Sequence, residues 1–164
     1  MAMSDALLRL DGIDGESIQS GHEKWMEVRS WSWGASNGGS SQIGSGSGSG
    51  KAVIRDFHFD IEYGISSPKL FLACCTGQHI ATATLRVRKA GNSQQTFLEW
   101  KFTDILISSY RTSGSDVNAK NALPLDRVSF NFTQLEMEYR PQEKDGTLGA
   151  ARKEGYNAKT GTKV

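Results

Sequence analysis

The residues best placed to do chemistry are Asp56, His58 and Asp60, which alternate along one stretch of the chain. A period of two puts their side chains on one face of a strand. There, two carboxylates and an imidazole can in principle hold a hard or borderline cation. One strand supplies the whole set, however, and Glu62 extends the same face, so the pattern reads as a solvated outer face. Cys74 and Cys75 are the only cysteines. A disulfide wants about 5.5–6 Å between Cα atoms and chain neighbours sit about 3.8 Å apart, so a bridge is disfavoured. Without Cys-x-x-Cys spacing, zinc and redox chemistry are disfavoured as well. The pair reads as reduced, partly buried helix residues. Gly44, Gly46, Gly48 and Gly50 alternate with serine ahead of Lys51, but Ala52 stands where a phosphate loop carries Ser or Thr, and a strand rather than a helix follows. There is no carboxylate pair isolated in an apolar setting. His22, near a turn, and His79, at a strand start, read as surface or interface histidines. The expectation is a protein without catalytic residues, cofactor or metal.

Composition agrees with that direction. The chain has 164 residues, 37% of them hydrophobic, which suits one domain with a proper core. Its 19 basic and 18 acidic residues leave a formal charge of +1, too little for broad attraction to nucleic acid or anionic lipid. No apolar run approaches the roughly 18 residues of a membrane span. Residues 1–10 lack the basic start and apolar stretch of a secretory signal. The protein is expected either to stay in the cytoplasm or to leave through a machine that reads the folded molecule.

The elements that must position these residues are mostly strands. Ala6–Leu10 reads as a short apolar strand, with turns at Asp11-Gly12 and Asp14-Gly15. Lys24–Trp33 alternates, but its apolar set changes face after Val28, which predicts a bulge or a change of sheet near Arg29. Val53–Tyr63 reads as one half-buried strand, with Val53, Phe57, Phe59, Ile61 and Tyr63 on the inner face. Ser67-Pro68 reads as an N-cap and first helical residue. Leu70, Phe71, Ala73 and Cys74 form the helix's apolar stripe and Gly77 its stop. Ile80–Lys89 and Thr96–Phe102 flank a hairpin signal at Ala90-Gly91-Asn92, and Asp104–Ser109 continues as strand. After a loop at Ser113-Gly114-Ser115-Asp116, Val128–Tyr139 is a last long strand whose apolar set switches midway, another bulge signature. Residues 140–164 carry six basic and three acidic side chains and read as an exposed or late-docking tail. Gly155-Tyr156-Asn157 is its one candidate strand. Six to eight strands, one helix and hairpin connections give a β-barrel or sandwich.

One segment stands apart. Ser30-Trp31-Ser32-Trp33-Gly34 alternates large aromatics with small hydroxyls and feeds an uncharged run to Gly50 containing seven glycines and six serines. By composition residues 34–50 are a linker. Too little chain precedes them for an independent domain, so they read as a long functional or disordered loop.

Taken in order, these segments resemble the haemolysin co-regulated protein (Hcp) family, the tube-forming subunits of bacterial type VI secretion systems. The match is carried by Gly15-Glu16-Ser17 with His22, Ser30-Trp31-Ser32-Trp33-Gly34, the loop ending Gly50-Lys51, and Asp56-Phe57. It continues through Ser67-Pro68-Lys69-Leu70 leading to Ala73-Cys74 and Gly77, then Leu85-Arg86-Val87-Arg88-Lys89-Ala90-Gly91 and Val128-Ser129-Phe130-Asn131-Phe132. Tyr139-Arg140-Pro141-Gln142 and Gly155-Tyr156-Asn157 complete it. Two departures are Glu62-Tyr63-Gly64-Ile65, where many members have an aspartate just before the helix, and Tyr156 in place of a frequent tryptophan.

The resemblance implies a single antiparallel β-barrel domain over 1–164 with one flanking helix and a long extended loop, like phage tail-tube proteins. It implies a homohexameric ring, stacked rings, a contractile sheath, a spike protein at the tube tip, and small effector proteins carried in the lumen. Secretion would then occur without a cleaved signal peptide. Ser30 and Ser32 are expected to face the lumen. Trp31, Trp33, Phe57, Phe59, Leu85, Trp100 and Phe130 are expected in the core. The segment Gly38, Gly39, Ser40, Ser41, Gln42, Ile43, Gly44, Ser45, Gly46 and Ser47 is expected to make the ring-to-ring contact. Competing readings are a ring acting mainly as effector carrier or chaperone, and a small hydrolase or sugar-binding barrel, which needs a pocket of convergent polar groups.

Overall fold

The computed structural model describes residues 5–38, 52–90, 94–114 and 123–164. Strands β1 (Asp5–Leu10), β2 (Met26–Ser32), β5 (Phe57–Glu62), β6 (His79–Arg88), β7 (Thr96–Ser113) and β8 (Leu125–Asn131) pair in the order β7-β6-β1-β2-β5-β8. A β7–β8 pairing closes them into an antiparallel barrel. Between β2 and β5, strands β3 (Ala35–Asn37) and β4 (Ala52–Ile54) form a separate two-stranded ribbon. Strands β9 (Gln134–Tyr139), β10 (Arg152–Asn157) and β11 (Thr162–Lys163) extend the sheet outward from β7. The one helix among the described residues, α1 (Ser67–Thr76), joins β5 to β6.

The barrel interior is filled. Phe57, Phe102, Phe130, Leu85 and Ile105 have no solvent exposure, and Phe59 has 1%. The phenylalanine rings cluster: Phe57–Phe130 and Phe57–Phe102 centroids are both 5.0 Å apart and Phe102–Phe130 5.1 Å, while Phe59 lies 6.2 Å from Phe57 and 6.1 Å from Phe130. A six-stranded barrel is too narrow for a channel, and alternate residues of every strand fill it. Trp100 is buried, and half-buried Trp31 and Trp33 stand edge-on to it at 4.9 and 5.6 Å.

Local chemistry accounts for several boundaries. The predicted irregularity near Arg29 is a register shift between Val28 and Ser30 on β5. It lets Met26 and Val28 point inward before it and Trp31 after it. Val53–Tyr63 is not one strand: Ala52–Ile54 pairs with the ribbon partner Ala35–Asn37, leaving Val53 59% exposed, and pairing in the barrel starts at Phe57. Tyr63 is also mostly outside the core. The face switch in Val128–Tyr139 is a break rather than a bulge. β8 ends at Asn131 and β9 starts at Gln134, both pairing with β7.

The helix starts one residue earlier than its sequence suggests. Ser66 is the cap position and Ser67 lies inside, where its Oγ donates to Asp126 Oδ2 at 2.5 Å and accepts from Gly64 N–H at 3.0 Å. Gly77 ends it in the left-handed conformation (φ 66°), as the absence of a Cβ allows. Leu70 and Ala73 are buried, but Phe71 is not part of the stripe and stands 53% exposed. No turn forms at Asp14-Gly15. Gly15 N–H donates to Lys24 O at 2.7 Å, and a Cβ there would press into the Trp25 carbonyl. The C-terminal segment is docked rather than free: β10 pairs with β9 over six residues, and β11 folds back on β10. An unpaired strand edge supplies backbone partners irrespective of side-chain polarity, which is why a polar sequence forms strands here.

Two substitutions test this packing. Phe130→Ala, at a fully buried site within the aromatic stack, should cost about 3–5 kcal/mol in urea unfolding. Trp31→Ala, partly exposed, should cost about 2 kcal/mol. A smaller loss for Phe130→Ala than for Trp31→Ala would contradict this core.

Candidate functional site

The outer face of four adjacent strands is lined by aligned polar residues. The register places Ser32 of β2 beside His58 of β5, His58 beside Ser129 of β8, and Ser129 beside Ser109 of β7. The next row reads Ser30, Asp60, Arg127, Arg111 across the same strands. The pleat explains both rows. Trp31, Phe59, Val128 and Phe130 point inward, so their neighbours must point outward. A shallow concavity of about 590 Å³ is lined by Ser30, Ser32, His58, Asp60, Arg111 and Arg127 among others.

The rows are tied by short polar contacts. Ser109 and Ser129 hydroxyls lie 2.5 Å apart, Ser108 and Ser129 hydroxyls 2.8 Å, and Ser108 Oγ donates to Asp56 Oδ2 at 2.5 Å. Arg127 Nε lies 3.6 Å from Asp60 Oδ2. His58 and Asp60 therefore share this face with Asp56, as the sequence suggests. Among the described residues no group of three or more His, Cys, Asp or Glu side chains converges as a metal-binding set.

Of the other sequence-selected residues, Ser30 and Ser32 are exposed and lie in adjacent rows. Gly38 is exposed at the end of the β3–β4 ribbon. Gly39, Ser40, Ser41, Gln42, Ile43, Gly44, Ser45, Gly46, Ser47 and Gly48–Lys51 lie outside the described residues, as do Gly91, Asn92, Ser115 and Asp116. The ribbon pairing at Ala35–Asn37 shows that the 34–50 segment begins as strand, not loop. Cys74 is half-buried and Cys75 exposed, both as free thiols.

His22 is a correction. It is buried, not on the surface, within the segment that joins β1 to β2. Arg86 Nη1 reaches its Nε2 at 3.3 Å, the Trp25 ring stands edge-on at 4.8 Å, and Arg86 lies over Trp25 while its Nε donates to Glu99. Buried Arg88 has Asp5 3.7 Å away. Burial, then the charge of Arg88 and after it Arg86, push the His22 imidazole below its ordinary pKa, against the Ser20 carbonyl and Glu23. His79 is at the surface, paired with Asp104 at 3.0 Å. Sequence reading also missed Asp126, which is fully buried and accepts from Ser67 and from Tyr110 Oη at 3.1 Å. No local signal marks it, since its hydroxyl partners lie 59 and 16 residues away.

Comparison with known proteins places this architecture. Residues 7–139 match the family model described as type VI secretion system effector, Hcp. The chain is 35% identical to protein hcp1 of Pseudomonas aeruginosa over 155 residues, covering 93% of this chain and 94% of that one. A solved type six secretion system protein superposes with a TM-score of 0.91 at 30% identity, over 99% of this chain and 100% of that one. Hcp1 from Salmonella typhimurium gives 0.80 at 30% identity, over the full length of both chains.

The buried imidazole predicts a pH dependence. Its folded pKa is lowered, so the unfolded chain binds this proton more readily. The stability that neutral His22 contributes is present above pH 6.5 and declines as pH falls below it. His22→Gln should flatten the change in urea midpoint between about pH 7.5 and pH 5.5. An unchanged slope would show that His22 is not its source.

Proposed function

The chain belongs to the Hcp family of type VI secretion proteins, and from that premise we propose that it is a structural tube subunit, non-enzymatic, whose copies close into hexameric rings. The observation that carries the reading is the double polar row on β2, β5, β8 and β7. The barrel's own interior is packed solid, so any passage must lie between copies, bounded by an outer face. A wall of serine hydroxyls and charged groups stays hydrated and offers moving cargo no apolar hold. Ser30 and Ser32 sit on that wall. Burial of Trp31 against Trp100 fixes their direction.

Closure of a ring needs one surface of a copy to meet a different surface of the next. Exposed apolar side chains suit such contacts: Ile18 is 91% exposed, Ile65 57%, Phe71 53% and Leu72 56%. The uncharged Gly38–Ser47 segment is the proposed contact with a neighbouring ring, which it can approach without desolvating charge. The whole of 1–164 acts as one barrel domain, driven out by a contractile sheath behind a spike protein, with small effector proteins in the lumen. It is a secreted protein that does not insert into membranes or bind nucleic acid.

Light scattering should find a species near six times 17.9 kDa, and electron microscopy annular particles. A solitary chain at high concentration would refute the ring. Ser32→Gln should keep the fold and the ring and change the amount of co-purified cargo. Unfolding of that variant would mean Ser32 points inward. Deleting Ser40–Ser47 should spare hexamers and block secretion, whereas normal secretion would end the stacking role.

A further inference from the structure

The second polar row contains an unusual juxtaposition. Arg111 and Arg127 are directly opposite one another on β7 and β8, an arrangement of like charges that disfavours strand pairing. Both side chains are exposed. Arg127 has Asp60 as a 3.6 Å ion-pair partner. Among the described residues no carboxylate lies within ion-pair distance of Arg111. The local set Asp60, Arg127 and Arg111 thus carries one uncompensated positive charge, on the concavity that also holds Ser30, Ser32 and His58.

We propose that the Arg111–Arg127 pair, with the Ser30, Ser32 and Ser109 hydroxyls, is a docking surface for acidic segments of a protein passenger. This rests on the reading of that face as the channel wall. Two guanidinium forks side by side match two successive carboxylates, each able to take a bidentate pair. Serine hydroxyls at the next positions supply donors for the remaining carboxylate or backbone oxygens. The same face argues against a nucleic acid. Asp60, Asp56 and Glu62 interrupt it with negative charge on β5 and its approach, and the chain as a whole carries only +1, so a continuous polyphosphate would release few counterions and meet repulsion. A folded protein surface with mixed charge can set carboxylates on the arginines and a cation on Asp60. An exposed surface pair of this kind is weak per copy, and repetition around a ring multiplies it through local concentration.

The test is fluorescence anisotropy of a labelled peptide of alternating glutamate and serine against the full chain at low salt, with a lysine–serine peptide and an oligothymidylate as comparison probes. The acidic peptide should bind and the lysine peptide should not, with affinity falling as salt is raised. Arg111→Ala and Arg127→Ala should each weaken binding about tenfold or more, and Arg111→Lys should retain part of it. All variants should keep the wild-type light-scattering mass, since both side chains are exposed. Equal binding by Arg111→Ala, equal binding of the lysine peptide, or tighter binding of the oligothymidylate would each overturn the proposal. The two readings fail separately. A monomeric wild type that still binds the acidic peptide through Arg111 refutes the ring and keeps the surface. A ring whose binding ignores both arginines refutes the surface alone.

Discussion

Strand β7 has to satisfy different partners along one edge. Its Leu98–Thr103 half pairs with β9, its Leu106–Ser113 half pairs with β8, and its other edge pairs with β6. The transition falls at Asp104, which sits at φ 56°, a conformation that non-glycine residues adopt at a cost and that Asp tolerates better than most. Its carboxylate is held on both sides: Oδ1 by His79 at 3.0 Å and Oδ2 by the Thr133 hydroxyl at 2.9 Å. The Thr133 N–H adds a bond to the Thr103 carbonyl at 3.0 Å. The break between β8 and β9 is therefore stitched to the bend in β7. Without this two-sided edge the barrel would stay an open sheet, and β9 to β11 would have nothing to extend.

Closure has consequences for both surfaces of the sheet. Inside, aromatic and aliphatic side chains fill the barrel, and Phe57, Phe102 and Phe130 have no solvent exposure. Outside, the alternate residues are forced into registered rows, and chemistry that looks scattered in the sequence becomes contiguous. Ser32, His58, Ser129 and Ser109 are spread over 97 positions of the chain but adjoin across four strands. At the helix end the same closure buries Asp126 where Ser67 and Tyr110 hydroxyls converge on it. A buried carboxylate is costly unless hydrogen-bonded, and this one is supplied by two other elements. Elsewhere, Arg86 of β6 reaches His22 and lies over Trp25, tying the segment that precedes β2 to β6.

Much of this was legible beforehand where the signal is local. Alternation marked Ile80–Lys89 and Phe57–Ile61, Gly77 marked the helix end, and the face change after Val28 marked a bulge. The order of weak motifs from Gly15 to Asn157 was enough to suggest the family, to which the matches to known proteins independently assign the chain. What misled was also physical. Val53 continues the alternation of β5 but pairs with the ribbon instead, because Ala35–Asn37 is its nearer partner. The switch in Val128–Tyr139 looked like a bulge because both halves are strands, and only the two partners of β7 distinguish a bulge from a break.

The amino-acid sequence by itself determined which residues alternate, where the helix stops, that charge is balanced, and that the Trp31 and Trp33 segment has one large and one small face. These are properties of neighbours in the chain, and period and composition record them. Tertiary structure alone decided that a polar terminal segment becomes strands, that His22 and Asp126 are buried, and that Arg111 faces Arg127. Each depends on a partner far away in sequence, and register between distant strands leaves no mark in either segment until the barrel closes.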